Sequence, residues 1–364
     1  MSELRKTPLH EFNVANEARM VDFAGWSMPV QYQSIIEEHK ATRFSASLFD
    51  VSHMGEASIE GPEAAAFLDS VLTNDASSME IGQAMYSLMC YEHGGVVDDL
   101  LVYRIAEEEF LLCLNASNTD KDVAWLSGNH GSFDVDISDV SDSFSLLALQ
   151  GPETMKILKN LTTMNLEDLV YYRFQGSDVA GVSCLVCRTG YTGELGVEVF
   201  VAPNDAESLA RSLLAAGEPY GVNLAVLGAR DSLRLEAGYA LYGHEISETI
   251  SPVQAKLMWA VKLKKEAKFI GKKAIRDEKA AGPKRRSVFF KTGGRPIVRA
   301  GTPVLASNRD VGTVVSGAFS PILNEAIGSA IVESIHEDAR LSVDMRGSDL
   351  LLIPTKPPFV ELNP

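Results

Sequence analysis

The chain has 364 residues, of which 46% are hydrophobic and 23% are charged. This is the composition of a globular protein of two or three domains, and it excludes collagen-like, low-complexity and wholly disordered chains. The 49 acidic residues outnumber the 33 Lys and Arg residues and give a formal net charge of −16, which excludes a general nucleic-acid binder because such proteins need a basic surface.

The N-terminal region predicts neither a leader nor a membrane segment. Residues 1–20 lack the apolar core of a secretory signal, and they are not the Arg- and Ser-rich start of a transit peptide. No apolar run in the chain reaches the roughly 18 residues that a membrane helix needs. We therefore expect a cytoplasmic protein with no membrane partner.

Apolar spacing and turn residues then predict a mixture of helices and strands. The predicted helices span residues 34–44, 64–72, 206–217 and 229–237. The predicted strands span residues 48–59, with a turn at Gly55, and then 85–90, 99–105, 110–115, 145–149, 182–186 and 197–201. The acid-rich residues 134–142 predict an exposed edge or connector. Gly-Pro-Glu opens a helix after both Gly61 and Gly151, which suggests two related α+β units.

The pattern changes after Ser287 to short β-rich segments separated by Gly, Asn and Asp, which predicts an all-β C-terminal domain. Before it lies the basic segment, from Lys262 to Arg286, with eleven Lys or Arg and three Asp or Glu residues. Its charge fits either a solvated helical face or a docking patch for an acidic protein. An RNA-binding patch would need interleaved aromatic residues, and Phe269 is the only one there.

Two acidic residues, Asp98 and Asp99, stand at the start of a buried strand. Because successive side chains of a strand point to opposite faces, Asp99 shares a face with Leu101 and Tyr103, whereas Asp98 shares the other face with Leu100. A buried carboxylate is costly unless it is paired or used. The alternative is an Asp that caps the preceding glycine turn.

Glu198 stands in a strand of β-branched residues that follows a loop with three glycines, residues 189–196. The glycine spacing is neither the dinucleotide fingerprint nor a phosphate loop. Glu198 points away from the face of Val197 and Val199, so it either needs a cationic or amide partner or faces solvent at a sheet edge.

Arg230 lies in the first turn of a predicted helix, where the helix dipole disfavours a cation. Its presence there indicates an anion or carbonyl partner. Arg234 lies one turn further on the same face, and it could pair with Asp231 or Glu236.

Two patterns that resemble metal sites predict none. Cys184 and Cys187 are three residues apart in an apolar strand, so their sulfurs point to opposite faces, and no second pair completes a zinc site. Asp50, His53 and Glu56 do not converge at three-residue steps along a strand. We expect core cysteines, a hydrogen-bonded turn histidine at position 53, and no metal.

The joint occurrence of several motifs in order is highly specific. They are TPLH at 7–10, RMVDFAGWSMP at 19–29, FDVSHMGE at 49–56, GGVVDDL at 94–100, TGYTGE at 189–194, GARDSLRLEAG at 228–238 and SGAFSP at 316–321. From end to end the chain resembles the aminomethyltransferase (T protein) family of the glycine cleavage system.

The resemblance implies an α+β fold of three domains around a central channel, with a β-rich, barrel-like C-terminal domain. The implied first domain joins residues 1–50 with 139–245 and binds folate. The second joins 51–138 with 246–280, and the third is 281–364.

The resemblance also implies a reaction. The methylene carbon of an aminomethyl group on the dihydrolipoyl arm of a lipoylated carrier, the H protein, passes to the co-substrate tetrahydrofolate, giving ammonia and 5,10-methylenetetrahydrofolate. We expect no flavin and no metal, a monomer, and no nucleic-acid partner. The basic segment from Lys262 to Arg286 is the candidate docking face for the carrier.

Carried over position by position, Asp99 matches the catalytic aspartate of the family. The positions that match folate contacts are Met54, Tyr86, Tyr103, Asn115, Tyr191, Glu198 and Arg230. A carboxylate such as Asp99 can steady an iminium-like carbon and move protons. Glu198 can accept from the amide edge of a pterin, and Arg230 can donate to a carbonyl or carboxylate. One departure is the C-terminus, residues 356–364, which lacks a tyrosine that some members place there.

Three alternatives stay open. One is a folate-binding protein of iron–sulfur cluster assembly, although the loop at 189–194 lacks the cysteine of that motif. Another is a folate-dependent demethylase, although these usually add a flavin domain and the chain has no dinucleotide fingerprint. The third is a non-catalytic folate-binding module, against which Asp99 and Arg230 argue.

Overall fold

The computed structural model describes residues 3–334 and 339–363. Helices in these ranges are α1 (His10–Ala15), α2 (Ile35–Phe44), α3 (Ala64–Val71), α4 (Thr119–Asn129), α5 (Thr154–Leu158), α6 (Ala206–Gly217), α7 (Leu227–Ala237) and α8 (Lys272–Ala281). None of them is long and apolar enough to cross a lipid bilayer.

The strands of the first 230 residues form a hairpin and two sheets. They are β1 (Arg19–Phe23), β2 (Trp26–Gln31), β3 (Ser47–Asp50), β4 (Gly55–Glu60), β5 (Ala84–Cys90), β6 (Val96–Ala106), β7 (Glu109–Leu114), β8 (Asp136–Asp139), β9 (Ser145–Gln150), β10 (Phe174–Val179), β11 (Val182–Cys187), β12 (Gly196–Val201) and β13 (Asn223–Ala225). The predicted strand 48–59 is therefore two strands, β3 and β4, because a turn in which the Met54 N–H donates to the Val51 carbonyl separates them.

The first sheet has the strand order β10-β11-β12-β9-β3-β13. Its pairs are antiparallel except β13 with β3, which is parallel. One face, with Leu147 and Val199, packs on α6 residues such as Leu209 and Leu213. The amphipathic spacing of α6 thus covers one side of this sheet.

The second sheet has the strand order β5-β6-β7-β4-β8, all antiparallel. Helix α3 covers one face with Phe67 and Leu68. The other face meets the first sheet, where Leu111 lies in one hydrophobic cluster with Phe49 and Phe200. Strand β8 is an edge strand, as the acid-rich residues 134–142 predicted.

The last strands close into a barrel of order β14-β17-β16-β15-β18-β19. These strands are β14 (Arg285–Lys291), β15 (Pro303–Ala306), β16 (Arg309–Ser320), β17 (Glu325–Glu333), β18 (Leu341–Met345) and β19 (Ser348–Pro354). Residues such as Val304, Val314 and Leu352 fill its interior. The barrel confirms the predicted β-rich C-terminal region, whereas the exact boundaries of the three domains stay a prediction.

The two Gly-Pro-Glu sequences adopt the same conformation in the two sheets. Gly61 follows β4 with φ +134°, and Gly151 follows β9 with φ +135°. A Cβ atom at either glycine would lie 2.4 Å from a backbone oxygen, that of Asp134 or Ser45 respectively. Both positions therefore need glycine for its φ and for its missing side chain.

Candidate active site

A cavity of about 1120 Å³ lies where the two sheets, α7 and the β1–β2 hairpin meet. Its volume is slightly above the usual range for small-molecule sites, about 300–1000 Å³. Side chains from all four elements line it, among them Phe23 of the hairpin, Asp99 of β6, Glu198 of β12 and Arg230 of α7.

Asp99 is held on this wall by two neighbours. The Tyr86 hydroxyl of the adjacent strand β5 donates to Asp99 Oδ2 over 3.0 Å, and Asn115 Nδ2, just after β7, lies 2.9 Å from Asp99 Oδ1. Because β6 pairs with both β5 and β7, the sheet itself brings the three side chains together.

The environment of Asp99 favours its neutral form. Burial and the neighbouring Asp98 carboxyl raise the pKa of Asp99 from 3.8 to about 7, although the hydrogen bonds from Tyr86 and Asn115 oppose the change. A carboxyl that titrates near neutral pH can both take up and release a proton under physiological conditions.

Glu198 and Arg230 are an acidic and a basic residue that line the same cavity. The Thr189 hydroxyl donates to Glu198 Oε2 over 2.5 Å, and burial raises the pKa of Glu198 while this bond and Arg230 oppose the change. The Arg230 guanidinium carbon lies 4.6 Å from the centroid of the Tyr191 ring, a cation–π distance. The site thus offers a buried acceptor and a cation stacked on a ring.

Aromatic rings complete the walls. Tyr86 stacks on Trp259 with ring centroids 5.1 Å apart, and Tyr191 lies 5.8 Å from Tyr239 while its hydroxyl donates to the Ala240 carbonyl. Trp259 is 60% exposed although it lines the cavity, so it stands at the opening.

The structure brings almost all predicted site residues to this cavity. Those that line it are Met54, Tyr86, Asp99, Asn115, Tyr191, Glu198 and Arg230. Tyr103 does not: it is fully buried between Phe174 and Phe200. It shares the face of Asp99, but four residues further along β6 that face meets the packed core.

His53 differs from its prediction. It lies in the turn between β3 and β4, as predicted, but its Nδ1 finds no hydrogen-bond partner in the described ranges, and its buried ring lines the cavity. Its ring meets Phe23 edge-on at 5.6 Å. Burial and the nearby Arg230 lower the pKa of His53 to about 3, so the imidazole is neutral in the cavity.

The sequence analysis missed several lining residues. Tyr239 follows directly after the GARDSLRLEAG motif, so the motif could have drawn attention to it. Trp259 and Tyr172 stand in no periodic pattern that predicts a cavity. The C-terminal tail packs nearby, because the Leu195 N–H donates to the Asn363 carbonyl, but no tail residue in the described part lines the cavity.

The sequence-based interpretation of the cysteines is confirmed. Cys184 belongs to the core between the first sheet and α6, and Cys187 belongs to the core between the two sheets. Their sulfurs therefore lie on opposite faces of β11. In the described ranges, no group of three or more His, Cys, Asp or Glu side chains is arranged to hold a metal ion.

Buried ion pairs hold α7, which presents Arg230, and hydrogen bonds join this helix to the barrel. Arg234 pairs with Asp231 at 2.8 Å, as predicted, and with Glu245 at 2.9 Å. It also donates to the Ser316 hydroxyl of β16 over 2.8 Å. Glu236 is not its partner; it pairs with Arg43 of α2 and accepts a hydrogen bond from a barrel serine.

Comparison with known proteins decides the family. The "GCVT N-terminal domain" matches residues 9–265, and the "Glycine cleavage T-protein C-terminal barrel domain" matches residues 285–361. The chain belongs to the glycine cleavage T-protein family. Its fold and its end-to-end resemblance to this family, predicted from the motifs, are thereby confirmed.

Individual family members agree over almost the whole chain. The aminomethyltransferase of Moorella thermoacetica is 47% identical over 349 residues, 95% of each protein, and that of Alkaliphilus metalliredigens is 46% identical over 346 residues, 95% of this chain and 94% of the relative. The crystal structure of glycine cleavage system aminomethyltransferase T from Bartonella henselae superposes with a TM-score of 0.92 at 34% identity, covering 99% of both chains. As a family member, the protein is an aminomethyltransferase of the glycine cleavage system.

Proposed function

We propose that the protein moves the methylene carbon of an aminomethyl group from the dihydrolipoyl arm of an H carrier protein to tetrahydrofolate. The observation that supports this best is Asp99, a carboxyl with a pKa of about 7 on the wall of a cavity large enough for an extended ligand. Family membership supplies the reaction class, and the cavity supplies groups suited to it.

The proposed reaction breaks two bonds to one carbon and forms two. The C–N bond to ammonia and the C–S bond to the arm break, and bonds from this carbon to two folate nitrogens form. The two N–H protons of the folate go to the departing ammonia and to the sulfur. The carbon keeps its oxidation level, so we propose that neither a flavin nor a metal takes part.

Asp99 suits the proton transfers of this reaction. A carboxyl that titrates near pH 7 can accept a proton from a folate nitrogen and return it to the leaving amine. In its ionised form it stabilises the positive charge that develops on the carbon as nitrogen leaves. The Tyr86 hydroxyl, 3.0 Å away, fixes the carboxyl while it does so.

The other walls suit a pterin with a charged tail. We propose that buried Glu198 accepts hydrogen bonds from the amino and amide N–H groups of the pterin, and that Arg230 donates to a carbonyl or carboxylate. Tyr191 and Met54 supply flat and adaptable apolar contacts for the rings. Tyr103 is left out of this proposal because it is fully buried and does not line the cavity.

The carrier would dock by the opening at Trp259. Within the basic segment, Lys265 donates to backbone carbonyls of Leu72 and Asn74 at 2.8 and 2.6 Å, so it serves the fold. Lys262, Lys264 and Lys268 are exposed instead. We propose that these three lysines attract an acidic carrier and that its arm enters past Trp259.

A charge-reversal variant tests the docking proposal. Lys262→Glu, Lys264→Glu and Lys268→Glu together should raise the KM for the carrier about tenfold or more at low salt and leave the KM for folate unchanged, since exposed charges act mainly on association. Lys159→Glu, at an exposed lysine directly after α5, is the control. An unchanged KM for the carrier would remove the basic segment from the proposal.

The reaction itself is tested with purified protein, tetrahydrofolate and an aminomethyl-loaded lipoyl carrier. Ammonia and 5,10-methylenetetrahydrofolate should form together, and both should collapse in Asp99→Asn. Folate binding without ammonia release would favour a demethylase or a non-catalytic folate-binding protein. A cytoplasmic location and a monomeric state belong to the same proposal and are checked by fractionation and by sedimentation.

A further inference from the structure

Behind the cavity wall lies a second, fully buried carboxyl, that of Asp98. It is on the opposite face of β6 from Asp99 and is 0% exposed. Its Oδ1 accepts hydrogen bonds from Asn115 Nδ2 over 2.9 Å and from Asn118 Nδ2 over 2.7 Å, and its Oδ2 accepts from the Asn115 backbone N–H over 3.3 Å. Strand pairing uses backbone hydrogen bonds, so these three bonds to the Asp98 side chain are additional to those that hold β6 in its sheet.

The Asn115 carboxamide joins the two carboxyls. Its Nδ2 reaches Asp98 Oδ1 and Asp99 Oδ1, both at 2.9 Å, and the Asp99 backbone carbonyl at 3.1 Å. All three are acceptors, so only the nitrogen end of the amide fits there. Whatever fixes the Asn115 side chain also fixes the orientation of the Asp99 carboxyl.

We propose that Asp98 is a positioning residue for carbon transfer: it locks Asn115, and Asn115 holds the Asp99 carboxyl at its place in the cavity. The inference rests on the proposed function of Asp99 and names a further residue for that reaction. Asp98 cannot touch either substrate, because no part of it is exposed and it does not line the cavity.

A third carboxyl explains how Asp98 tolerates its burial. Asp122 of α4 is also 0% exposed, it faces Asp98, and its Oδ1 lies 3.0 Å from Lys121 Nζ. Burial and a hydrogen bond with Asp122 raise the pKa of Asp98 well above its usual range. Lys121, beside Asp122, supplies a counter-charge to this pair of buried carboxyls.

This arrangement leaves Asp99 as the carboxyl that exchanges protons with the cavity. Its charged and titratable neighbours are Asp98 and Asp122 from behind and Tyr86 and Tyr191 from the cavity side. A displaced Asn115 would let the Asp99 carboxyl rotate, and a misplacement of about 1 Å at a reacting group can cost about 100-fold in rate.

Steady-state kinetics of Asp98→Asn test the proposal, because the amide keeps one acceptor for the Asn115 and Asn118 side chains but puts an N–H donor opposite the Asn115 backbone N–H, which Asp98 Oδ2 accepts. We expect kcat to fall about 10- to 100-fold, with a much smaller change in the KM for tetrahydrofolate, since the walls at Glu198 and Arg230 are not altered. Asp120→Asn, an exposed position of the same helix as Asp122, should behave as wild type.

A double-mutant cycle separates positioning from a general structural role. If Asp98 acts through Asn115, then Asp98→Asn should cost almost nothing further in kcat once Asn115→Ala is present. An equal loss in both backgrounds, or a wild-type kcat in Asp98→Asn, would overturn the inference.

A milder variant covers the case in which Asp98→Asn does not fold. Asn118→Ala removes one bond to Asp98 and leaves the carboxyl in place, so kcat should fall by a smaller factor at constant KM for folate. A wild-type kcat in Asn118→Ala with Asp98→Asn unfolded would also overturn the inference. If the wild-type enzyme releases no ammonia at all, the proposed function fails first, which the same assay distinguishes.

Discussion

The carboxyl of Asp99 makes the enzyme less stable as the pH rises, and Asp99→Asn should remove this penalty. The folded chain holds the Asp99 proton up to about pH 7, whereas an unfolded chain releases it near the ordinary value of 3.8. Between these values the folded state binds more protons than the unfolded state, so the free energy of unfolding falls with increasing pH. An asparagine cannot ionise and is free of this dependence.

The size of the effect follows from the same two values. Each pH unit between them corresponds to about 1.4 kcal/mol, so the total penalty above pH 7 is about 4 kcal/mol, of which about 2–3 kcal/mol arises between pH 5 and pH 8. Any hydrogen bond to Tyr86 or Asn115 that the amide makes less well costs about 1 kcal/mol. That cost is the same at both pH values and cancels in the comparison.

Thermal unfolding followed by circular dichroism at pH 5 and pH 8 measures the effect. The stabilisation of Asp99→Asn over wild type should be larger at pH 8 by about 3–4 °C, taking an unfolding entropy of about 2.1 cal/mol/K per residue over one transition of the 364-residue chain. Asp120→Asn, whose side chain is exposed, should show no such difference. If Asp99→Asn changed the melting temperature equally at both pH values, the ionisation argument would be refuted.

Three further outcomes are expected. Gly151→Ala should lower the melting temperature far more than Gly25→Ala, because a Cβ at Gly151 lies 2.4 Å from a backbone oxygen whereas one at Gly25 has nothing within 4 Å; similar losses in the two melts would contradict this. Arg234→Met leaves Glu245 buried without its partner, so it should lower the free energy of unfolding, measured by denaturant titration, by about 3–5 kcal/mol. Adding Glu245→Met to the same chain should restore most of that free energy, and no recovery would contradict the pairing. Glu198→Gln should raise the KM for tetrahydrofolate about tenfold, since a hydrogen bond to a charged group is worth about 1.5–3 kcal/mol, and an unchanged KM would remove Glu198 from the folate site.

Strand alternation predicted much of the site from the sequence. A period of two depends only on local backbone geometry, so it separated Asp99 from Asp98 and pointed Glu198 away from Val197 correctly. The limits of a helix also depend on local sequence. Helix α6 begins and ends at the predicted residues, because its amphipathic run stops at Gly217.

The same alternation could not predict which residues on one face of a strand line the cavity and which lie in the packed core. Tyr103 has the parity of Asp99, yet the face it shares passes from cavity to packed core within four residues. Whether a strand face lines the cavity or packs in the core depends on which other element covers it, and a local sequence pattern does not contain this information. The hydrogen bond expected for the His53 side chain was wrong for this reason as well, because the surroundings of its ring come from Phe23 and Arg230, which are distant in sequence.

The buried ion pairs between different elements could not be predicted from the sequence either. Arg43 and Glu236 are separated by 193 positions, and nothing in either local pattern selects the other among many acidic and basic residues. The Asp98–Asp122 pair is closer in sequence, but it joins β6 to α4 with the whole of β7 between them, and the local pattern does not specify how α4 packs on the sheet. Charged pairs between different elements, unlike the Arg234–Asp231 pair within α7, become predictable only once the packing of those elements is known.

The hydrogen bonds from α7 to the barrel determine whether the N-terminal part of this enzyme can stay folded and bind folate without the barrel. Arg234 and Glu236 reach serines of β16, and Glu245 accepts from Ser329 of β17. Without the barrel these charges would lose buried partners, and the helix that presents Arg230 would lose its backing. We therefore expect one calorimetric transition for the whole chain, and a protease cut just before β14 should abolish folate binding in the released N-terminal fragment. The barrel is in this sense as much a part of the catalytic apparatus as the cavity walls.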